Sequence, residues 1–470
     1  MPLGTQKAHR PAAGDRASLQ ARTMRILIIA QVLSGAGLAA GITVGALLAE
    51  QMLGSTSVAG LPAALFTAGS AAAALLVGRI SQRSGRRVGL SAGYAAGALG
   101  AAGVVLAAVL DSVPLLVVSL VIYGAGFATS LQARYAGADL AEPSHRGRAV
   151  SFILVATTLG AVAGPNLVDV TGNLAEAIGI PRLAGPFGLA ALAYGLAALV
   201  LSALLRPDPL ISARAFAVEL DAAPTTSAPA GAAASPGSGR PAGPPRRPVS
   251  SVSSDVEGDS LAARGRSLRL AASAMIVTQV VMTAVMTMTP IHMRDHGHGL
   301  GATGLVIAIH IGCMYLPSPL TGVLADRLGR RPVIAAGALV LLAAGIISAL
   351  APAGSVALLA LSLGLLGLGW NFGLIGGTAL VTDAAPLETR AKTQGTVDLG
   401  VALAGAAGGL SSGVIVASTS FTVLSLAGGA LALAIIPIML RTGGSHPDRG
   451  SQAEASEAEP ARRDERAKVP

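Results

Sequence analysis

The sequence predicts an all-α membrane protein of twelve transmembrane helices, built as two pseudo-symmetric six-helix bundles. Three observations lead there. The 470-residue chain is 52% hydrophobic and only 12% charged, with a mean hydropathy of +0.65. Soluble domains carry about 25% charged residues, so too few polar side chains remain here to coat a water-facing surface. Apolar stretches free of charge recur, residues 26–48 and 334–350 among them, and crossing a hydrocarbon core takes roughly 17–25 apolar residues as a helix. A closed barrel would need apolar/polar alternation instead, which these stretches lack. Finally, the second half of the chain repeats the first.

Basic residues open the chain (Lys7, Arg10, Arg16, Arg22, Arg25). The apolar run behind them outlasts the roughly 7–15 residues of a signal-peptide core, so an uncleaved first span is expected. The spans fall at 24–48, 58–80, 88–110, 113–137, 148–172 and 185–205, then at 268–293, 302–325, 332–352, 354–382, 391–417 and 419–441. This divides the chain into an N-terminal tail (1–23), a first bundle (24–205), a linker (206–267), a second bundle (268–441) and a C-terminal tail (442–470). The linker holds stretches such as APAGAAASPGSGRPAGPPRRP. It buries too little apolar surface to offset its ordering entropy and is expected to be disordered, as is the C-terminal tail.

The formal net charge of +9 invites a nucleic-acid partner, but its placement argues against one. Nearly all Arg and Lys sit in the tails, the linker and the short segments 79–87, 142–148, 327–331 and 390–392, while the alternate loops hold few, Arg182 and Arg294 standing out. By the positive-inside rule both termini and the linker are expected on the cytoplasmic side of the membrane. Cys313, the sole cysteine, lies in an apolar run, so no disulfide framework or cysteine-based metal site is expected. The histidines of HMRDHGH (292–298) read as a solvated outer loop rather than a metal site. No G-x-x-x-x-G-K-[ST] loop is present, which leaves ATP-driven transport unsupported. No cofactor or metal is expected.

The repeat is clearest in two short segments. In GRISQRSGRR (78–87) and GVLADRLGRR (322–331), Gly78, Arg83, Gly85, Arg86 and Arg87 fall on Gly322, Arg327, Gly329, Arg330 and Arg331 at a constant spacing of 244, with Gln82 where the second copy has Asp326. Residues 123–151 align with 366–394 at a spacing of 243 drifting to 244, pairing Gly124 with Gly367, Gly126 with Gly369, Pro143 with Pro386 and Arg146 with Arg390. Two halves in the same orientation are one known architecture of secondary transporters.

The G-x-x-x-D-R-x-G-R-R pattern, complete at 322–331 and degraded at 78–87, resembles the cytoplasmic loop signature of the major facilitator superfamily. The stretches LQARYAGADL, GWNF and HIGCMYLPSPLTGVLADRLGRR resemble a bacterial branch of it whose members mostly lack assigned substrates, a few being regarded as importers of riboflavin-like compounds. The resemblance covers roughly residues 24–441. It implies a monomeric, multi-pass transporter of a bacterial cytoplasmic membrane, in contact with membrane lipids and carrying a small-molecule substrate and protons. One departure matters: drug antiporters often carry G-x-x-x-G-P-x-x-G-G in the fifth helix, whereas GAVAGPNLVDVTG (160–172) lacks the closing glycine pair.

Arg327, Arg330 and Arg331, with Arg83 in the first copy, are orientation signals first. Topology does not explain Asp326, because acids contribute little to it. An acid at the inner end of the eighth helix can meet a helix N-terminus, where free N–H groups favour negative charge. Pseudo-symmetry puts the start of the fifth helix nearby, with Arg146 and Arg148. Asp326 is therefore expected to hold the cytoplasmic side shut, while Gln82, facing the start of the eleventh helix, offers a neutral and weaker bond.

Ionisable groups inside apolar spans mark function by default, and Arg134, His310 and Asp398 qualify. Asp398 lies about 12 Å into the eleventh span at 1.5 Å per residue. An unpaired carboxylate there would take up a proton, as a coupling site must, and Arg134 is a possible partner across the halves. The alternatives are a snorkelling Arg134 and a neutral His310 bonded to a neighbouring helix. For substrate, the resemblance points to helices 1, 4, 7 and 10. Gln31 and Ser34 lie in helix 1. Gln279, Thr283 and Thr287 share one face of helix 7, bordered by Met282 and Met286, and Trp370 and Asn371 lie in helix 10. They suit a flat or moderately hydrophobic molecule, or else serve as interhelical polar contacts. Gly37, Gly41 and Gly45 read as close-packing positions. The expected function is proton-coupled secondary transport of a small organic solute. Efflux of drug-like compounds is preferred, with import of an aromatic nutrient such as a riboflavin-like compound, or a non-transporting sensor, as alternatives. No enzymatic chemistry is indicated.

Overall fold

The computed structural model describes residues 13–53, 61–222, 250–352 and 354–442. The first half comprises α1 (Ala13–Leu53), α2 (Leu61–Ser84), α3 (Arg86–Val109), α4 (Val113–Ala138), α5 (Arg146–Asn166), α6 (Val168–Ala177) and α7 (Gly185–Leu204). A short helix, α8 (Pro209–Ala222), follows. The second half comprises α9 (Ser250–Asp295), α10 (Leu300–Tyr315), α11 (Ser318–Arg327), α12 (Arg330–Leu350), α13 (Val356–Ala384), α14 (Arg390–Ser418), α15 (Phe421–Leu433) and α16 (Ile435–Thr442). With α5–α6, α10–α11 and α15–α16 each read as one interrupted column, every half holds six columns among the described residues. Ten helical stretches among the described residues are long and apolar enough to cross a membrane. No strand occurs among the described residues, as hydrocarbon demands of a chain that is not a barrel, since helices satisfy every backbone group internally.

Local chemistry sets the breaks. Pro317 supplies no N–H, and the α10 ladder stops there before α11 begins. The turns α2–α3 and α11–α12 pivot on Gly85 and Gly329, at φ +90° and +97°, a region open to glycine and costly for other residues. Glycine also sets the distance between helices. A Cβ on Gly97 of α3 would stand 2.7 Å from the Gly126 Cα of α4, so these two backbones touch.

Each half has its own apolar core, one built on Tyr94, Tyr123, Phe187 and Tyr194 and the other on Trp370, Leu341 and Leu374. The second core also takes in Tyr135, Val150 and Leu154 from the first half. The basic loops share one end of the molecule. There Arg16 of α1 donates to the Leu140 carbonyl at 3.0 Å, and Gln20 to that of Gly137 at 2.7 Å. The halves meet along α2–α14 and α5–α11.

The first tail is helical from Ala13, where Arg16 and Gln20 anchor it to the end of α4. One expectation needs correction. The linker expected to be disordered over 206–267 is helical at both described ends. Leu210 and Ala213 of α8 are buried, while Asp208 accepts hydrogen bonds from the Leu210 and Ile211 N–H groups at its start. The first turns of α9 extend a membrane helix, and elongation adds one hydrogen bond per residue to a nucleus already formed. Residues 223–249 and 443–470 lie outside the described residues.

Candidate functional site

At the basic end two contacts bind the halves, related by the 244-residue repeat. Asp326 closes α11, where its carboxylate is almost fully buried. Oδ1 accepts from the Gly147 N–H at 2.8 Å and Oδ2 from that of Arg148 at 3.0 Å. These are among the orphan donors at the start of α5, so the acid meets both unpaired N–H groups and the positive end of the helix dipole. The guanidinium groups of Arg148 and Arg330 stand 3.4 Å from the same carboxylate. The approach is close because a Cβ on Gly322 would lie 2.6 Å from the Gly147 carbonyl oxygen.

In the mirror contact, Gln82 Oε1 accepts from the Ala391 N–H at 2.7 Å and that of Lys392 at 3.3 Å, at the start of α14. Its Nε2 donates to the Leu387 and Glu388 carbonyls at 3.3 and 2.5 Å. A Cβ on Gly78 would lie 2.9 Å from the Gly395 Cα. Arg214 of α8 joins this contact alone, donating to the carbonyls of Gln82 at 3.1 Å and Leu387 at 3.3 Å.

Behind both contacts lie ion pairs that sequence reasoning missed. Buried Arg86 binds Asp139 at 2.7 Å and donates across the halves to Gln394. In the second half Arg330 binds Asp383 at 3.0 Å, Asp383 also receives Arg146 at 2.6 Å, and Arg330 donates to the Pro143 carbonyl. The repeat carried the signal, since Arg86 and Asp139 lie 244 residues before Arg330 and Asp383. Arg83 and Arg327 are exposed and Arg331 is half-buried.

Farther from that end the halves enclose a cavity of about 100 Å³, lined by Arg134, Asp398, Gln279, Tyr315, Trp370 and Phe127 among others. Arg134 Nη2 meets Asp398 Oδ1 at 2.6 Å, with the two side chains 1% and 5% exposed. Arg134 Nε donates to the Thr378 hydroxyl at 3.0 Å, another Arg134 nitrogen donates to the Leu131 carbonyl, and the guanidinium lies 4.4 Å from the Tyr135 ring centroid. The Tyr135 hydroxyl donates to Asp398 Oδ1 at 3.2 Å, while Oδ2 has no hydrogen-bond partner. Arg134 therefore does not snorkel. One carboxylate oxygen is saturated and the other is open. Trp370 donates from Nε1 to Gln279 Oε1 at 2.8 Å and meets Tyr315 edge-on, ring centroids 5.6 Å apart, so the plate is held rigidly. Among the described residues, the hydrogen bonds joining the halves run from the two contacts inward to this pair.

The structure does not bring the other candidates to this cavity. Gln31 and Ser34 are fully buried within the first half, where Gln31 donates to Thr157 at 2.8 Å and receives the Tyr94 hydroxyl at 2.5 Å. Asn371 faces away from Trp370, donating to Ser318 and the Met314 carbonyl at 2.7 Å each. Thr283 accepts from Gln279 Nε2 at 3.1 Å and Thr287 donates to the Thr283 carbonyl at 2.6 Å, both within α9, and neither lines the cavity. The bonds of Gln31, Ser34 and Asn371 are interhelical and those of the two threonines intrahelical, because a polar side chain in an apolar bundle takes the nearest satisfiable partner. His310 donates from Nδ1 to the Leu363 carbonyl at 2.8 Å, and its Nε2 is without a partner. His292, expected in an outer loop, lies on α9 stacked against Phe421. Among the described residues no group of three or more His, Cys, Asp or Glu side chains is placed to hold a metal.

Comparison with known proteins agrees with this architecture. The chain matches the model of the Major Facilitator Superfamily over residues 27–309 and 270–468. It is 54% identical to the uncharacterized MFS-type transporter YdeG of Bacillus subtilis over 430 residues, 90% of this chain and 92% of that one. It is 31% identical to the riboflavin transporter RfnT of Brucella anthropi over 437 residues, 92% and 98% of the two chains. Among solved structures it is similar in fold to the proton:xylose symporter XylE, with a TM-score of 0.67 at 16% identity over 91% of this chain and 96% of that one. With its twelve columns, its repeated contacts and these matches, the chain belongs to the Major Facilitator Superfamily of membrane transporters.

Proposed function

We propose that the protein is a proton-coupled secondary transporter of a flat, partly apolar heteroaromatic solute, riboflavin-like in shape, working by alternating access in the bacterial cytoplasmic membrane with both termini inside. The observation that carries this reading is the buried Arg134–Asp398 pair, which lines the cavity and spans the halves at once. Breaking a buried pair by removing one charge costs about 3–5 kcal/mol, so a proton arriving on the open Asp398 Oδ2 weakens a bond that holds the basic end shut. Positive-inside placement makes that end cytoplasmic, and the conformation is then closed to the cytoplasm. The cavity is smaller than the roughly 300–1,000 Å³ of ligand pockets, so the halves rock apart to admit a solute. Trp370 and Tyr315 supply aromatic faces, Gln279 a side-chain amide, and Met282 and Met314 an adaptable wall. The similarity to a riboflavin transporter favours an aromatic nutrient. The missing glycine pair in the fifth column weighs against drug antiport.

Reconstituted protein with riboflavin as probe tests this. The expected result is flux that follows an imposed pH gradient, with Asp398→Asn abolishing the gradient response while solute exchange persists. Unchanged gradient dependence in Asp398→Asn removes the carboxylate from coupling. Absence of flux for riboflavin and other flat heteroaromatics favours the sensor reading.

A further inference from the structure

We propose that the groove between α3 and α7 at the basic end binds an anionic phospholipid, phosphate at its mouth and one acyl chain along its floor. The groove has a volume of about 790 Å³ and lies on the flank of the first half, away from the central cavity. Its floor is made of small residues, Ala92, Ala95, Gly195 and Ala198, and Arg87 and Arg206 stand at its mouth. Arg87 reaches across to the Ser202 carbonyl, donating from Nη1 at 3.3 Å, so its guanidinium is held over the groove. Arg206 follows the end of α7 and is exposed.

The neighbouring acid offsets one of these two charges and forms no ion pair with either arginine. Asp208 accepts from the backbone N–H groups of Arg87 at 2.7 Å, Leu210 at 3.0 Å and Ile211 at 3.2 Å, so its carboxylate is engaged in fixing the start of α8. Two guanidinium groups remain where membrane helices end, the depth at which lipid phosphates lie. Each offers a planar fork of donors matched to phosphate oxygens. Basic pockets between membrane helices on the cytoplasmic side suit such headgroups. The repeat supplies an internal contrast, because the position 244 residues after Ala95 is Leu339, 55% exposed. A bulky side chain stands in the second half where the first leaves a trough.

The test uses the full chain in lipid nanodiscs with a single reporter tryptophan. Trp370→Phe removes the native indole, and Leu199→Trp places one on the groove wall. Quenching by brominated phosphatidylglycerol is compared with quenching by brominated phosphatidylcholine. The expected result is a clear preference for phosphatidylglycerol that falls about fivefold for each arginine neutralised, Arg87→Gln or Arg206→Gln, as expected for roughly one surface charge interaction apiece. Arg206→Lys retains most of it. A control reporter at Leu339→Trp shows no preference. Equal quenching by both lipids at Leu199→Trp, an equal preference at Leu339→Trp, or a preference untouched by Arg206→Gln overturns the proposal. Reversal of the preference by millimolar inorganic phosphate also overturns it, assigning the site to a soluble anion. Arg206 lies outside the α2–α3 turn, so its variant remains informative if Arg87→Gln fails to fold.

Discussion

Asp326 and Gln82 occupy equivalent places in the two halves, each bonded to the first N–H groups of a helix in the opposite half. Their surroundings differ. Asp326 only accepts, and two arginines flank it. Gln82 accepts with one atom and donates with the other, to the carbonyls of Leu387 and Glu388. Gln82 is therefore no weakened aspartate. It is an adaptor between a helix start that offers N–H groups and a preceding loop that offers C=O groups, a task no carboxylate performs. On the Gln82 side a further guanidinium, that of Arg214 in α8, comes from outside the bundle and binds the Gln82 and Leu387 carbonyls. Pseudo-symmetry thus preserves backbone geometry while the electrostatics diverge.

This contrast can be broken by substitution, read as labelling of a cysteine placed at the basic end in a Cys313→Ser background. The largest effect is expected for Asp326→Asn, which turns charge-assisted bonds into neutral ones and sets an NH₂ against a helix N–H. A loss of roughly 1.4 kcal/mol corresponds to an opening equilibrium shifted about tenfold. A change below twofold would make the two contacts energetically alike.

Gln82→Glu comes next and separates the adaptor from the weak-acid view. A carboxylate gains strength toward Ala391 and Lys392 but turns an oxygen on two carbonyls that Gln82 now satisfies. The basic end should open more readily, about fivefold, for one unfavourable polar contact of about 1 kcal/mol. Tighter closure would show that charge alone sets the strength of the contact. The smallest effect is expected for Arg214→Ala, about twofold toward opening, because half-exposed polar bonds contribute roughly 0.2–1 kcal/mol. An effect as large as that of Asp326→Asn would make α8 the main restraint on its side.

How much of this was legible in the sequence follows from which properties are local. Membrane spans, their number and the repeat depend on runs of apolar residues and on spacing, and both can be read along the chain. The residues that bond across the halves at the basic end followed too, because a loop signature written twice places Asp326 and Gln82 at helix ends before any packing is known. The buried pairs Arg86–Asp139 and Arg330–Asp383 were encoded in the same spacing and went unread, since Arg86 and Arg330 serve equally well as orientation signals. Which polar side chain faces the cavity was decided only by tertiary structure. Helices that are apolar on all sides carry no stripe to tell inside from outside, so Gln31, Ser34, Asn371, Gln279 and Trp370 read alike along the chain. Packing then turned Gln31 toward Thr157 and Tyr94 and Asn371 toward Ser318, leaving Gln279 and Trp370 on the cavity wall. In hydrocarbon a polar group takes the partner that geometry provides, and geometry is a property of all the helices together.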